Sequence, residues 1–375
     1  MPDVTIVAMD VGGIGGMELQ LEQLVRGLAA AGDRVTVIAR TSTVLDDSVS
    51  FHRVRGPTRP FAIAYPWFVL LASVLVRRHR RGIVQTTGAI VLSRVDLIAV
   101  HYCHRAVGRR TAASTASRRS ALFAVHAQLA HALSLLGERF CLRPTRLRGV
   151  IAVSEGVAVE LRASYPRLAS LVTVIANGVD RDRFAPASAA ERLAAHSQFG
   201  LPPVGPCAAF VGGDWGRKGL RPAIEALAEA DGWHLIVAGR GDAAAFRQLA
   251  EAADVSDRVH FLGTTDDTPS VYHAADALVL PSAYETFSMV AYEAAACGLP
   301  LIATALSGIE DILVDGVTGY RVQPDAGAIA AALRKLAAAP ASGPRMGAAA
   351  RRMTAEYTWQ KMVARHRALY SQIGG

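Results

Sequence analysis

Two glutamates eight residues apart, Glu285 and Glu293, lie in the segment ALVLPSAYETFSMVAYEAAACGLPLIA. The run ALVL reads as a strand ending at Pro281, and the loop after it carries Glu285. A helix is expected to begin near Ser288, a residue type suited to capping, and to stop at Gly298 and Pro300. Glu285 would then sit ahead of the helix and Glu293 in its second turn, with the free N–H groups of the helix start between them. That arrangement can hold an anionic group with a carboxylate on either side for sugar hydroxyls. The bland alternatives are a capping carboxylate for Glu285 and a surface position for Glu293. The nearly apolar surroundings of Glu293 argue against the second.

A second candidate is AAFVGGDWGRKG, where Arg217 and Lys218 follow a strand and three glycines, Gly213 among them. Adjacent cations at a strand end suit a diphosphate, although an ordinary exposed basic pair reads equally well from this motif alone. A third is GGIGG at residues 12–16, between a strand and a helix. Glycines there let backbone N–H groups approach a phosphate or sugar, or simply make a tight turn. The dinucleotide fingerprint is absent, because Glu18 stands where its third glycine would fall, and there is no P-loop GK[ST].

These residues need a scaffold. Residues 4–9, the helical pattern of Leu19, Leu21, Leu24, Val25 and Leu28, and the strand RVTVIAR make one βαβ unit. Further strands are expected at GIVQTTG, DLIAVHY, GVIAVS and VTVIANG. The second half repeats the rhythm with AAFVGG, WHLIVAGRG, RVHFLG, ALVLPS and PLIAT between alanine-rich helices. We expect an α/β protein of two Rossmann-like, doubly wound lobes facing a central cleft. The boundaries are residues 1–184 and 185–358, with a terminal helix over 359–375 crossing back to the first lobe.

At 375 residues, 51% hydrophobic and 19% charged, the chain can bury a sizeable core and is not a disordered polymer. Four scattered cysteines without CxxC pairs argue against a disulfide framework or structural zinc and fit a reducing cytosol. No secretory signal is read at the start, and no run reaches the length of a membrane span. The net charge of +8 is unevenly shared. Residues 1–176 hold 22 arginines, no lysine and 11 acidic residues, whereas the remainder carries a small negative excess. Such asymmetry points to an anionic partner for the first half. Without aromatic–basic interleaving, an anionic membrane surface or phosphorylated acceptor fits better than nucleic acid.

The apolar run FAIAYPWFVLLASVLV at 61–76, followed by RRHRR, reads first as a buried core helix and second as an interfacial segment, with its proline counting against a span. The arginine-rich stretch 105–119 reads as a loop, either solvated or facing lipid headgroups.

Taken together, the motifs carry a resemblance to retaining nucleotide-sugar glycosyltransferases of family 4, which have the two-lobed GT-B fold. The likeness covers nearly the whole chain: GGMELQLEQLVRGLAAAGDRVTVIA, VIAVSEGVAVEL, VIANGVDRDRF, FVGGDWGRKGL, VHFLG, the two-glutamate block and SGIEDILVDGVTGYRV, in that order. It implies that Glu285 contacts donor-sugar hydroxyls and Glu293 the ribose hydroxyls. Arg217 and Lys218 would neutralise the departing diphosphate. Gly15 and Gly16 would lie near the donor phosphate and acceptor entry, and His101 would contact the donor sugar, with His104 a nearby rival. The backbone of Phe287, Ser288, Met289 and Val290 would cap phosphate and sugar, Gly213 joins the donor-binding set, and Leu262 and Gly263 would hold the base. No metal site is expected from His101, Cys103 and His104, and no metal is expected in the chemistry. Three departures bear on specificity: TFS after Glu285, SGIED with Glu310 or Asp311 in the acidic position, and the arginine-rich insert after His104.

The expected activity is therefore transfer of a glucose- or mannose-type hexose from a UDP- or GDP-sugar, with retention, to a membrane-associated glycolipid or glycan. The expected location is the cytoplasm, peripheral at the membrane face. The alternatives are a soluble small-molecule acceptor, an inactive GT-B binding module, or another two-lobed sugar-nucleotide enzyme.

Overall fold

The structure, a computed structural model, describes residues 3–13, 15–107, 121–202 and 205–374. The chain divides into two compact units: Met1–Gly178 together with Trp359–Gly375, and Val179–Thr358. The division falls at 178/179 rather than at the expected 184/185. Val179 already bridges Thr358, and the Phe184 ring packs edge-on against Tyr272, so the intervening residues belong to the second unit.

The first unit holds a seven-stranded parallel sheet. Its strands are β1 (Asp3–Val7), β2 (Arg34–Ala39), β3 (Val49–Arg53), β4 (Ile83–Thr87), β5 (Leu97–Val100), β6 (Gly149–Ala152) and β7 (Val172–Val174). They lie in the order β3-β2-β1-β4-β5-β6-β7. The central strands are buried on both faces, which is why they read as continuous apolar runs. Helix α1 (Gly16–Ala30) buries Leu21, Leu24, Val25 and Leu28, the face its spacing predicts.

Helix α2 (Phe61–His79) departs from its first reading. It buries Ala64, Phe68, Ala72 and Val76 but leaves Ile63, Trp67, Leu70 and Val74 exposed, so it is a half-buried helix and not a core one. The run is apolar around its whole circumference, and periodicity therefore names no face. Helix α3 (Ala121–Cys141) follows in the chain. The arginine-rich stretch lies mostly outside the described residues, with only 105–107 at its start among them.

Helix α5 (Trp359–Gly374) closes the first unit. It crosses α1 closely: a Cβ on Gly27 would come within 2.4 Å of Val363. Arg367 forks onto buried Asp33 at 2.8 and 3.2 Å, and the Tyr370 hydroxyl donates to Gln85 at 2.8 Å.

The second unit has a six-stranded parallel sheet: β8 (Cys207–Val211), β9 (His234–Ala238), β10 (Val259–Gly263), β11 (Ala277–Leu280), β12 (Leu301–Ala303) and β13 (Gly319–Arg321). The order is β10-β9-β8-β11-β12-β13. Phe210, Trp215, Trp233, Ile236 and Leu333 are among its buried side chains. Between β11 and β12 lies α4 (Met289–Ala296), the short helix carrying Glu293. All four cysteines are free and buried.

Candidate active site

In a doubly wound sheet the chain proceeds one way from the first strand and later returns to build the other way. The loops leaving the carboxyl ends of the two strands at that reversal part company and open a crevice. In the second unit those strands are β8 and β11. The loop after β8 contains Gly212, Gly213, Asp214 and the helical turn Trp215–Lys218, and the loop after β11 runs from Pro281 to Ser288.

The two loops are stitched together. Ala283 N–H donates to the Arg217 carbonyl at 2.8 Å, and Arg217 Nη1 reaches the Tyr284 carbonyl. Gly219, at φ 83°, lies so close that a Cβ would come within 2.3 Å of the Pro281 carbonyl oxygen, so no other residue fits there. Trp215 anchors the turn, its indole N–H donating to the Gly212 carbonyl at 2.9 Å and its ring packing on Phe246 and Phe261.

This scaffold brings the basic pair onto the first glutamate. Lys218 Nζ donates to Glu285 Oε1 at 3.0 Å, and the Arg217 guanidinium stands 3.6 Å from the same oxygen. Ser282 Oγ donates to it as well, at 2.9 Å, and Thr304 Oγ1 fixes the Ser282 carbonyl at 2.7 Å. The side chains of Lys218 and Glu285 are only 11% and 8% exposed. Burial strengthens their attraction and makes either one costly to leave buried without the other. Arg217 is more open, at 38%, and is also held by Asp214 at 3.0 Å. The outcome is a pair of cations, one buried and one partly exposed, held on a single carboxylate oxygen where the two loops meet.

Glu293 projects from α4, and its Oε2 accepts from the Tyr272 hydroxyl at 2.9 Å. Burial pushes its carboxyl above the usual carboxylate range, against the Tyr272 hydrogen bond and the charges of Arg183 and Lys218. The residue keeps some accessible surface even though its carboxyl is enclosed.

Ser288 occupies the N-cap position of α4, but its side chain makes no capping bond. Its Oγ is buried with no hydrogen-bond partner. The expected cap is thus corrected. Position N3 is Ala291, so no reciprocal carboxylate is there, whereas Ser188 with Glu191 forms a full capping box elsewhere in the chain. The unpaired hydroxyl and the first N–H groups of α4, at Met289 and Val290, remain as hydrogen-bonding groups. Phe287 stacks on Tyr292 with centroids 4.4 Å apart. Gly308 of SGIED packs against the Phe287 backbone, which leaves 2.8 Å for a Cβ. Leu262 and Gly263 end β10, on the far side of β9 from β8.

Gly15, Gly16 and His101 belong to the first unit. Gly15, at φ 147°, precedes α1, and its carbonyl accepts from the Leu19 N–H at 3.0 Å. His101 follows β5 and lines a cavity of about 680 Å³ with Met17, Tyr65, Val100, His131 and Glu138. Neither of its ring nitrogens has a hydrogen-bond partner. Burial, with His366 nearby, pulls its pKa down to about 4, so the ring is neutral at pH 7. Glu138 holds the turn beyond it, accepting from the N–H groups of His104 and Arg105 at 2.8 and 3.3 Å and from the Tyr165 hydroxyl at 2.9 Å.

Sequence reasoning missed Tyr272, Ser282 and Glu138. Ser282 was findable, three residues before Glu285 in a strand-end loop. Tyr272 and Glu138 reach their partners only through folding, across 21 and 34 residues, and no spacing announces them.

The fold is a two-lobed α/β one of the GT-B type. The family model described as Glycosyltransferase Family 4 matches residues 14–183, and that described as Glycosyl transferases group 1 matches residues 205–339. Glycogen synthase of Mycobacterium tuberculosis is 30% identical over 386 residues, covering 92% of this chain and 88% of that protein. D-inositol 3-phosphate glycosyltransferase of Mycolicibacterium smegmatis is 35% identical over 181 residues, 46% of this chain and 41% of that protein. The chain thus spans about two-fifths of that relative's length in the match. Anabaena Alr3699/HepE, solved in complex with UDP-glucose, superposes with a TM-score of 0.77 at 18% identity, over 98% of this chain and 99% of that one. The chain belongs to the GT-B glycosyltransferases of the family 4 type, enzymes that use nucleotide sugars.

Proposed function

We propose that this enzyme transfers a glucose- or mannose-type hexosyl group from a UDP- or GDP-sugar, with retention of configuration, to a glycolipid or glycan acceptor at the cytoplasmic face of a membrane. The observation that carries the reading is the Arg217–Lys218–Glu285 cluster at the carboxyl-end crevice between β8 and β11. Cleaving the anomeric bond leaves negative charge on the departing diphosphate. Cations already held in place stabilise that charge without reorganising. Ser288 Oγ and the first N–H groups of α4 would add hydrogen bonds to the same oxygens. Glu285 would meet sugar hydroxyls and Glu293 the ribose hydroxyls, both as acceptors. With charge supplied by side chains and a helix start, the chemistry requires no metal on this reading.

The neutral ring of His101 can donate from one nitrogen and accept at the other, which suits a sugar hydroxyl better than an imidazolium would. The arginine-rich first half supports an acceptor carried on an anionic surface. UDP-glucose is the first donor to try, because a structural neighbour was solved with it. The enzyme would be incubated with UDP-glucose labelled in the sugar and either a bacterial membrane fraction or soluble acceptors, such as inositol phosphates and maltose. Label moving into the organic phase is expected. Label appearing only in water-soluble products, unaffected by membranes, would replace the membrane acceptor with a soluble one.

A further inference from the structure

Helix α2 carries an apolar stripe that the described part of the chain does not cover. Ile63, Trp67, Leu70 and Val74 follow one another at helical spacing and are 57, 48, 57 and 44% exposed. The opposite face, Ala64, Phe68, Ala72 and Val76, is buried in the first unit. The helix is therefore fastened along one side and offers the other to its surroundings over about 17 Å.

Both ends of the stripe are basic. At the carboxyl end stand exposed Arg77 and Arg78, which form no ion pair among the described residues. At the amino end is a recess of about 670 Å³ lined by Arg40, Arg53, Arg55 and Arg59 with Asp10. Asp10 is taken up by Arg40 and Thr41. Arg53, Arg55 and Arg59 have no carboxylate partner among the described residues. Trp67 is tied to this recess, its indole N–H donating to the Arg55 carbonyl at 3.1 Å.

We propose that the outward face of α2, with Arg53, Arg55 and Arg59 at one end and Arg77 and Arg78 at the other, is the surface by which the enzyme lies on a bilayer of anionic phospholipid. The inference rests on the membrane part of the function proposed above and gives it a location. An in-plane helix buries its apolar side chains at the headgroup–acyl boundary while cations beside them meet lipid phosphates. Indole rings favour the same depth. A second copy of the chain fits poorly. Because both ends of the stripe are cationic, pairing two such helices in either direction sets arginine against arginine. Insertion across the bilayer is opposed by Pro66 and by the buried face, which is committed to the unit's own core.

Flotation of the full chain with vesicles tests this. Vesicles of phosphatidylcholine doped with phosphatidylglycerol should bind at least about tenfold better than phosphatidylcholine alone at low salt. Trp67 is the only exposed tryptophan, since Trp215, Trp233 and Trp359 are buried, so binding should shift tryptophan emission to the blue. Trp67→Phe should still bind but lose the shift. Leu70→Glu should lower binding by about tenfold or more, whereas Leu45→Glu, at another exposed site, should not. Wild-type binding by Leu70→Glu, or binding without an emission shift, would overturn the proposal. So would release by glycerol phosphate at a concentration too low to screen charge, which would assign the recess to a free phosphate ester. A dimer dispersed by Leu70→Glu would reassign the stripe to a second copy. UDP affinity, measured on the same proteins, separates the two readings. Lost vesicle binding with intact UDP binding removes this surface alone, and the reverse removes the donor site alone.

Discussion

Arg217 and Lys218 are neighbours in sequence but differ in what their removal leaves behind. Arg217 is partly exposed and shares its charge between Asp214 and the Glu285 oxygen. Lys218 is buried against Glu285, so Lys218→Ala strands a carboxylate in the interior. Arg217→Ala should therefore cost little stability, within about 1 kcal/mol, while lowering turnover on the order of a hundredfold. Lys218→Ala should lower turnover similarly and also destabilise the second unit by about 3 kcal/mol. The double variant Lys218→Met with Glu285→Gln should recover most of that stability but not activity. Steady-state kinetics with urea melts decides, and wild-type turnover in both single variants would dismiss the diphosphate role. The cations and the first glutamate were legible because their chemistry resides in a short segment each. Their mutual neutralisation was not, because Lys218 and Glu285 are 67 residues apart and meet only at the sheet's reversal point.

At the scale of elements, α5 is the piece of the first unit that the chain supplies last. Its hold depends on Arg367, which is the ion-pair partner of an Asp33 side chain with no exposed surface. Arg367→Ala should destabilise the first unit by about 3 kcal/mol, read as an earlier urea transition of that unit, while Arg367→Lys should recover part of it. A transition unmoved by Arg367→Ala would mean that α5 is held by packing alone. The same helix brings His366 beside His101, and burial pulls both to about pKa 4. A histidine whose folded pKa is depressed stays neutral while the unfolded chain takes up its proton. Its stabilising contribution is complete above pH 6.5 and is lost as pH falls toward 4. The first unit should thus lose on the order of 2–3 kcal/mol per histidine over that window. His101→Gln should flatten the slope. Buried Glu138, whose carboxyl is raised, acts in the opposite sense, and the comparison with wild type cancels it. An unchanged slope would show that His101 does not titrate between the two states. Helix α2 shows where sequence was silent. Apolar residues around its full circumference specify a helix but no side, and only packing against the sheet selects the Ala64–Phe68–Ala72–Val76 row.

For the whole molecule, two parallel sheets in reversal order account for why glycine-rich and charged segments recur just after strands. Functional groups collect in the loops at the carboxyl ends of the strands, so a glycine-rich or charged motif just after a strand marks where they fall. That is why the α/β class and the alternation of strands and helices could be read from the sequence, whereas the order of strands in each sheet was not. The division at 178/179 and the idle hydroxyl of Ser288 could not, because both are settled by contacts between distant residues. The central claim is that the second unit receives a nucleoside diphosphate on Arg217, Lys218 and Glu293. Calorimetric titration of UDP, GDP and ADP into the full chain, with and without magnesium, tests it most directly. One nucleotide is expected to bind without metal. Glu293→Ala should weaken that binding by about tenfold or more, by removing the ribose acceptor, and Glu285→Gln should leave it nearly unchanged. Binding by none of the three, or affinity untouched by Glu293→Ala, would contradict it.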